Sequence, residues 1–223
     1  MASPVFANFG GTSVGSGLNS RSPGLPTGRA NGDLLIGYAV VKNSESHTWN
    51  GTGWTKIDEV TQGVFTVSLA YCIVSGSESA PTVSWTTAAL AYLRIARWTG
   101  AANESPLSGS YGHNAGNVTT HSKTGVTTTR ADSRVIYLDF TAVNTNLDTP
   151  SGWTENNDTS NALVATNVAI GGKDIASVGS ASGDISVTGG NADWVMWQIE
   201  LRSPAAGGVV SPVFYHVLFG ACG

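Results

Sequence analysis

The chain has 223 residues and a formal net charge of −4, and only 12% of its residues are charged, about half the usual share. It therefore carries no basic footprint for nucleic acid, no run near the ~18 apolar residues of a membrane helix, and too few cysteines for a disulfide framework. Ser, Thr, Asn and 28 Gly supply the polarity instead; this suits strands and turns, at a length that buries one large β-sandwich or two small ones.

Met1–Phe6 lacks the charged start and apolar core of a secretory leader, so synthesis in the cytoplasm is expected. Val5–Phe9 alternates briefly and predicts a first strand. Gly10–Arg29, punctuated by Pro23-Gly24 and Pro26, reads as a long surface loop or an arm lying on a neighbour. Leu34, Ile36, Tyr38 and Val40 then share one face of a strand, with Leu35, Gly37, Ala39 and Val41 on the other. Asn43–Gly53 reads as a loop, and Trp54 opens a short strand to about Val60. The strongest strand signal is the period-2 alternation of Phe65, Val67, Leu69, Tyr71 and Ile73 with their smaller neighbours. Ser75-Gly76-Ser77 turns the chain, and Thr82–Trp85 and Ala91–Trp98 read as two further strands.

A second series follows. Val118–Thr129 is Thr-rich and reads as a strand pair or an extended edge. Val135–Ala142 is a core strand, Asn144–Gly152 a loop, and Leu163–Ile170 a long alternating strand with Gly171-Gly172-Lys173 as its turn. Ile185–Thr188 and Trp194–Leu201 close the series. No apolar period of 3.6 lasts beyond two turns, so almost no helix is expected.

The two series match. Asp33 to Trp54 and Asp132 to Trp153 are the same 21 positions apart, and Gly53-Trp54-Thr55 is mirrored by Gly152-Trp153-Thr154. Trp98 aligns best with Leu201. An internal repeat of this kind decides the architecture before single motifs are weighed. The expectation is an all-β, antiparallel sandwich of jelly-roll type over residues 1–203, its two sequence-related halves at about 5–100 and 118–203 sharing one core. Residues 204–223 are a Pro/Ala/Gly linker and an apolar segment, Val209–Phe219, without a charged residue. Left in water that segment is an aggregation hazard. Val213, Phe214, Tyr215, Val217, Leu218 and Phe219 are therefore expected to be covered, either on the parent domain or as an assembly contact on a neighbouring subunit.

Signals for chemistry are sparse. His47, His113, His121 and His216 have no zinc spacing, although His113 and His121 flank one loop. Gly10–Gly15 is glycine-rich but opens no helix, and no phosphate loop, calcium loop or nucleophile elbow occurs. No catalytic residue, cofactor site or metal site is expected. A hydrolase would need two carboxylates across a cleft, and Glu45, Asp58, Glu59, Glu104, Asp148, Glu155 and Asp158 show no marked pair. Asp33 and Asp132 read as turn residues bonding the backbone. Trp54 and Trp153 recur and read as core anchors, and Cys72 as a small core residue. Trp49 and Tyr111 are the first candidates for contact with a ligand such as a glycan.

Gly32-Asp33-Leu34-Leu35, Gly53-Trp54-Thr55, the strand Leu69–Glu78, Ala91–Gly100, Gly152-Trp153-Thr154 and Trp194–Pro204 together resemble a group of bacteriophage virion proteins that carry this pattern twice. The likeness covers about residues 5–204. The second copy departs from it at Ser133-Arg134 and at Gly171-Gly172-Lys173. The resemblance implies a non-enzymatic structural subunit of the virion, a capsid decoration or head-fibre protein. Its expected partners are major capsid or tail proteins and further copies of itself, preferably as a trimer, with no nucleic acid or membrane. The alternative is a tail-associated receptor- or carbohydrate-binding module.

Overall fold

The computed structural model describes residues 2–108, 111–163 and 165–205. Its elements are strands: β1 (Val5–Phe9), β2 (Ser13–Arg21), β3 (Leu34–Val41), β4 (Thr48–Asn50), β5 (Thr55–Gln62), β6 (Phe65–Ile73), β7 (Thr82–Thr99), β8 (Gly112–Asn117), β9 (Thr120–Lys123), β10 (Ser133–Thr141), β11 (Thr154–Asn161), β12 (Thr166–Ile175), β13 (Ile185–Thr188) and β14 (Asp193–Leu201). One sheet runs β1-β7-β3-β6-β5, with β2 and β4 also on β7; a second runs β11-β12-β10-β14-β8; β9 and β13 form a separate ribbon. All pairings are antiparallel.

The all-β expectation holds among the described residues, and the alternation predicted for β3 is what joins the two sheets. Leu34, Ile36, Tyr38 and Val40 pack into one cluster with Ile136, Leu138, Phe140, Trp197 and Ile199 of the opposite sheet. Tyr38 meets Phe140 edge-on at 5.4 Å. Each sheet is also covered on its outer face, so every residue of β3 and β10 is buried. On the first sheet the cover is the early part of β7, whose Val83 and Trp85 fold back over Ala39, Val41 and Leu93. On the second it is the β9–β13 ribbon, whose Ile185 and Val187 lie on Tyr137, Ala169 and Met196. Four layers thus bury apolar surface on both faces of each central sheet.

Within each half the spatial order is fourth-first-third-second (β7-β3-β6-β5 and β14-β10-β12-β11). Greek keys, from which jelly rolls are built, run 4-1-2-3. Each sheet is drawn from one contiguous stretch of chain.

The two sheets share pairing registers. Leu34 sits opposite Trp98 and Val41 opposite Ala91, as Arg134 sits opposite Leu201 and Thr141 opposite Trp194. The outer hairpins carry a bulge at the same place, between Lys56 and Asp58 and between Glu155 and Asn157. Asp58 and Asn157 are therefore matched positions, as are Arg94 and Trp197. The alignment of Trp98 with Leu201 agrees with this register. The Asp33 and Asp132 heads do not: they equate Leu34 with Ser133, whereas pairing equates Leu34 with Arg134. One extra residue is taken up there, beside Asp132 in the left-handed region at φ 53°.

Several boundaries differ from those expected. The Gly10–Arg29 stretch holds β2, which follows β7 through two register shifts as β7 bends. Thr82–Trp85 and Ala91–Trp98 are one strand, bent where the amides of Thr86 and Thr87 donate to Glu45 Oε2, both at 2.7 Å. The Asn43–Gly53 loop contains β4, and in Val118–Thr129 only β9 is a strand, preceded by β8. Gly171-Gly172-Lys173 lies inside β12 and makes no turn. A Cβ on Gly171 would come within 2.4 Å of the Tyr137 ring, and one on Gly172 within 2.4 Å of Arg134 Nε. The glycines make room for large side chains of the neighbouring strand.

Candidate functional site

The two ligand candidates lie in different clusters. Trp49 on β4 is half-buried: its indole N–H donates to Ser68 Oγ at 2.9 Å, and its ring stacks on Trp54 at 5.8 Å over Gly37. Tyr111 packs against the central core and donates to the Ile57 carbonyl at 3.1 Å. It borders a cleft of about 260 Å³ with Tyr71, Leu107 and Lys56. Both candidates hold the fold, and Tyr111 borders this cleft. The anchors behave as expected: Trp153 packs edge-on against Tyr137 at 5.6 Å, and Trp54 packs beside Leu35 and Cys72. Cys72 is fully buried, and burial pushes its thiol up to about 11, which makes it a poor nucleophile. Asp33 accepts from the Ala30 amide at 2.8 Å and also pairs with Arg97 at 2.7 Å. Val213, Phe214, Tyr215, Val217, Leu218 and Phe219 lie outside the described residues.

His113 and His121 do not meet. His113 Nδ1 lies 2.9 Å from Asp58 Oδ2, which also accepts the indole N–H of Trp197 at 3.0 Å. This contact joins the edge of the first sheet to the second. Burial works to raise the Asp58 pKa, but the bonds from Trp197, His113 and the Glu59 amide outweigh it and hold the carboxyl below its usual range.

His121, on β9 of the ribbon, is fully buried, its ring stacked on Trp194 at 4.9 Å and its Nδ1 2.8 Å from Asp139 Oδ2. Burial raises the Asp139 pKa, against the pull of His121. On the first sheet His47 occupies a similar covered place, with Nδ1 2.8 Å from Ser68 Oγ. Burial pushes His47 down to about 4, so its ring is neutral at pH 7. Reading the sequence missed the His121–Asp139 pair. Its signal was a carboxylate at the centre of the apolar strand Val135–Phe140, which buries only with a partner.

Carboxylates do gather in one place. Tyr137 has its pKa raised by burial first, then by Glu155, Asp139 and Asp158. Asp139 is wholly buried there. Two further cavities, of about 300 and 320 Å³, share Arg130 and Pro204 and lie where the chain leaves the sandwich, away from that group. Among the described residues no group of three or more His, Cys, Asp or Glu is placed to hold a metal ion, and no helix is long and apolar enough to cross a membrane.

No protein-family model matches the chain, nor does any curated protein or solved structure.

Proposed function

We propose that this protein is a non-enzymatic structural subunit of a bacteriophage particle, a capsid decoration or head-fibre protein. It assembles as a homo-oligomer, preferably a trimer, through its loops and its apolar C-terminal segment. The observation that supports this most is the covering of both faces of both central sheets. Polar side chains are spent on internal contacts such as Glu200, which accepts from Ser133, from the Thr129 side chain and from the backbone of Thr129 and Arg130. What remains for a partner is the turns at the ends and the edge strands β5, β8 and β11, and a surface poor in charge costs little to desolvate in a packed shell. Gly32-Asp33-Leu34-Leu35, the Asp132 head of the second series and the repeated Gly-Trp-Thr are what support the phage assignment. Mass spectrometry and gold-labelled antibody on purified particles test it: a constant copy number per particle is expected, and absence from particles overturns it.

A second reading, a tail-associated carbohydrate-binding module, draws on the cleft between Tyr71 and Tyr111. Aromatic faces beside hydroxyls suit a pyranose ring. A glycan array on the parent and a Tyr71→Ala variant separates the readings.

A further inference from the structure

Six large apolar side chains are exposed among the described residues, and four of them gather at one end of the sandwich. Leu18 is 52% exposed, Val64 57%, Val118 53% and Leu163 58%. Val64 and Leu163 occupy the β5–β6 and β11–β12 turns, beyond Thr66 and Asn167, which sit opposite Val41 and Thr141 at the far ends of β3 and β10. Leu18 pairs with Ala89 in the bend of β7, and Val118 lies in the turn between Asn117, opposite Asp193, and Thr120, opposite Thr188. Lys42 joins the two sheets at this end, donating to the Ala142 carbonyl at 3.2 Å. Val64 and Leu163 hold corresponding turns of the two sheets, Val118 lies on a third turn, and Leu18 lies in β2 where it follows the bend of β7.

Several ionised groups at this end are engaged, among them Arg21, which donates to the Val14 and Ser16 carbonyls. Glu45 is held by the Thr86 and Thr87 amides, and Asp193 by Asn117 and the Val64 amide. Four exposed apolar side chains at one end of the sandwich call for cover.

The chain leaves from the opposite end. Leu201 sits opposite Arg134 at the start of β10, and Ser203 Oγ donates to the Ala131 carbonyl. Val209–Phe219, apolar and without a charged residue, begins four residues after Ala205. Four extended residues reach ~13 Å, whereas the eight residues of β3 separate the two ends by ~27 Å. On its own molecule the segment would spend its first half climbing the flank. A neighbour whose far end abuts the exit can receive it whole.

We propose that the C-terminal segment Val209–Phe219 of one copy docks on the end formed by Leu18, Val64, Val118 and Leu163 of the next. The contact is head-to-tail, so it closes into a ring or continues as a filament according to the rotation between copies. It rests on the assembly reading above and names the surface that reading lacks.

The test uses the purified full chain without other virion components, so its failure leaves the particle assignment standing. A photo-crosslinking benzoylphenylalanine replaces Phe214, and equal amounts of ¹⁴N- and ¹⁵N-labelled protein are mixed and irradiated. Crosslinks between light and heavy chains, landing on peptides that contain Val64 or Leu163, are expected. The pair Val64→Ser and Leu163→Ser, and truncation after Gly208, are each expected to weaken self-association about tenfold or more in sedimentation, with unchanged melting temperature. Crosslinks found only within one label, crosslinks at the chain-exit end, or a parent protein that stays monomeric overturns the proposal. Equally tight association of the Val64/Leu163 variant does so too.

Discussion

Trp197 donates its indole N–H across the sandwich to Asp58 at 3.0 Å, and the residues at their matched positions repeat the reach in the opposite sense. Arg94, matched to Trp197, donates from Nη1 to Asn157 Oδ1, matched to Asp58, at 3.2 Å. Reciprocal contacts of this kind characterise isologous dimers, in which i meets j and j meets i. Here they occur within one chain.

The first prediction concerns this latch. Asp58→Ala removes the acceptor of Trp197 and His113, and a hydrogen bond to a charged group is worth about 1.5–3 kcal/mol. We expect a loss of about 2 kcal/mol in urea unfolding. In a cycle with Trp197→Phe the two losses should fall short of adding by at least about 0.5 kcal/mol. Full additivity would show that the two side chains do not stabilise each other.

The buried His47 predicts a pH dependence. Its folded pKa is pushed down to about 4, below the ordinary value of 6.5, so below pH 6.5 the unfolded chain binds the proton more readily. Stability from this residue is complete above pH 6.5 and declines as pH falls toward 4. The amount is on the order of 3 kcal/mol. His47→Gln should flatten the melting-temperature profile across that window while leaving the profile below pH 4 parallel to the parent's.

Gly171 gives a packing prediction. Its Cβ position lies 2.4 Å from the Tyr137 ring and 2.8 Å from the Thr154 carbonyl oxygen. Gly171→Ala must shift backbone as well as side chain and should cost about 2 kcal/mol or more. Gly112→Ala, also in a strand but with its nearest neighbour at 3.8 Å, should stay within about 0.5 kcal/mol of the parent. Calorimetry on the two variants decides it.

Because each sheet comes from one contiguous stretch, the chain can be interrupted between them. Cleavage at a protease site inserted after Glu104, in the connection between β7 and β8, should leave two fragments that co-purify and retain the antiparallel β circular-dichroism signal. Fragments that separate without denaturant would show that the core around Tyr38 and Phe140 is too weak to hold the halves together.

The central strands were legible because period-2 alternation is a direct image of a two-faced sheet. The faces assigned to Leu34–Val41 are those observed: Leu34, Ile36, Tyr38 and Val40 share the central core. β2 was not legible: its Ser-Gly-rich residues pair along a bending partner, and two register shifts erase any alternation. Trp49 looked like an exposed contact because it lies in a polar loop. The clue to its burial was Gly37, a glycine in an apolar strand where a neighbouring ring approaches closely. Tyr111 was singled out for its ring, but nothing local announces that its hydroxyl reaches Ile57, a contact between residues 54 positions apart.

The strands of both central sheets run along the line from the chain exit near Ala205 to the turns at Val64 and Leu163. Rungs between antiparallel strands lie across that line. Tension applied from one end to the other therefore loads the rungs of a ladder side by side, instead of peeling them one at a time. A shell whose subunits were tethered through these two ends would pull each of them in the direction in which it yields last.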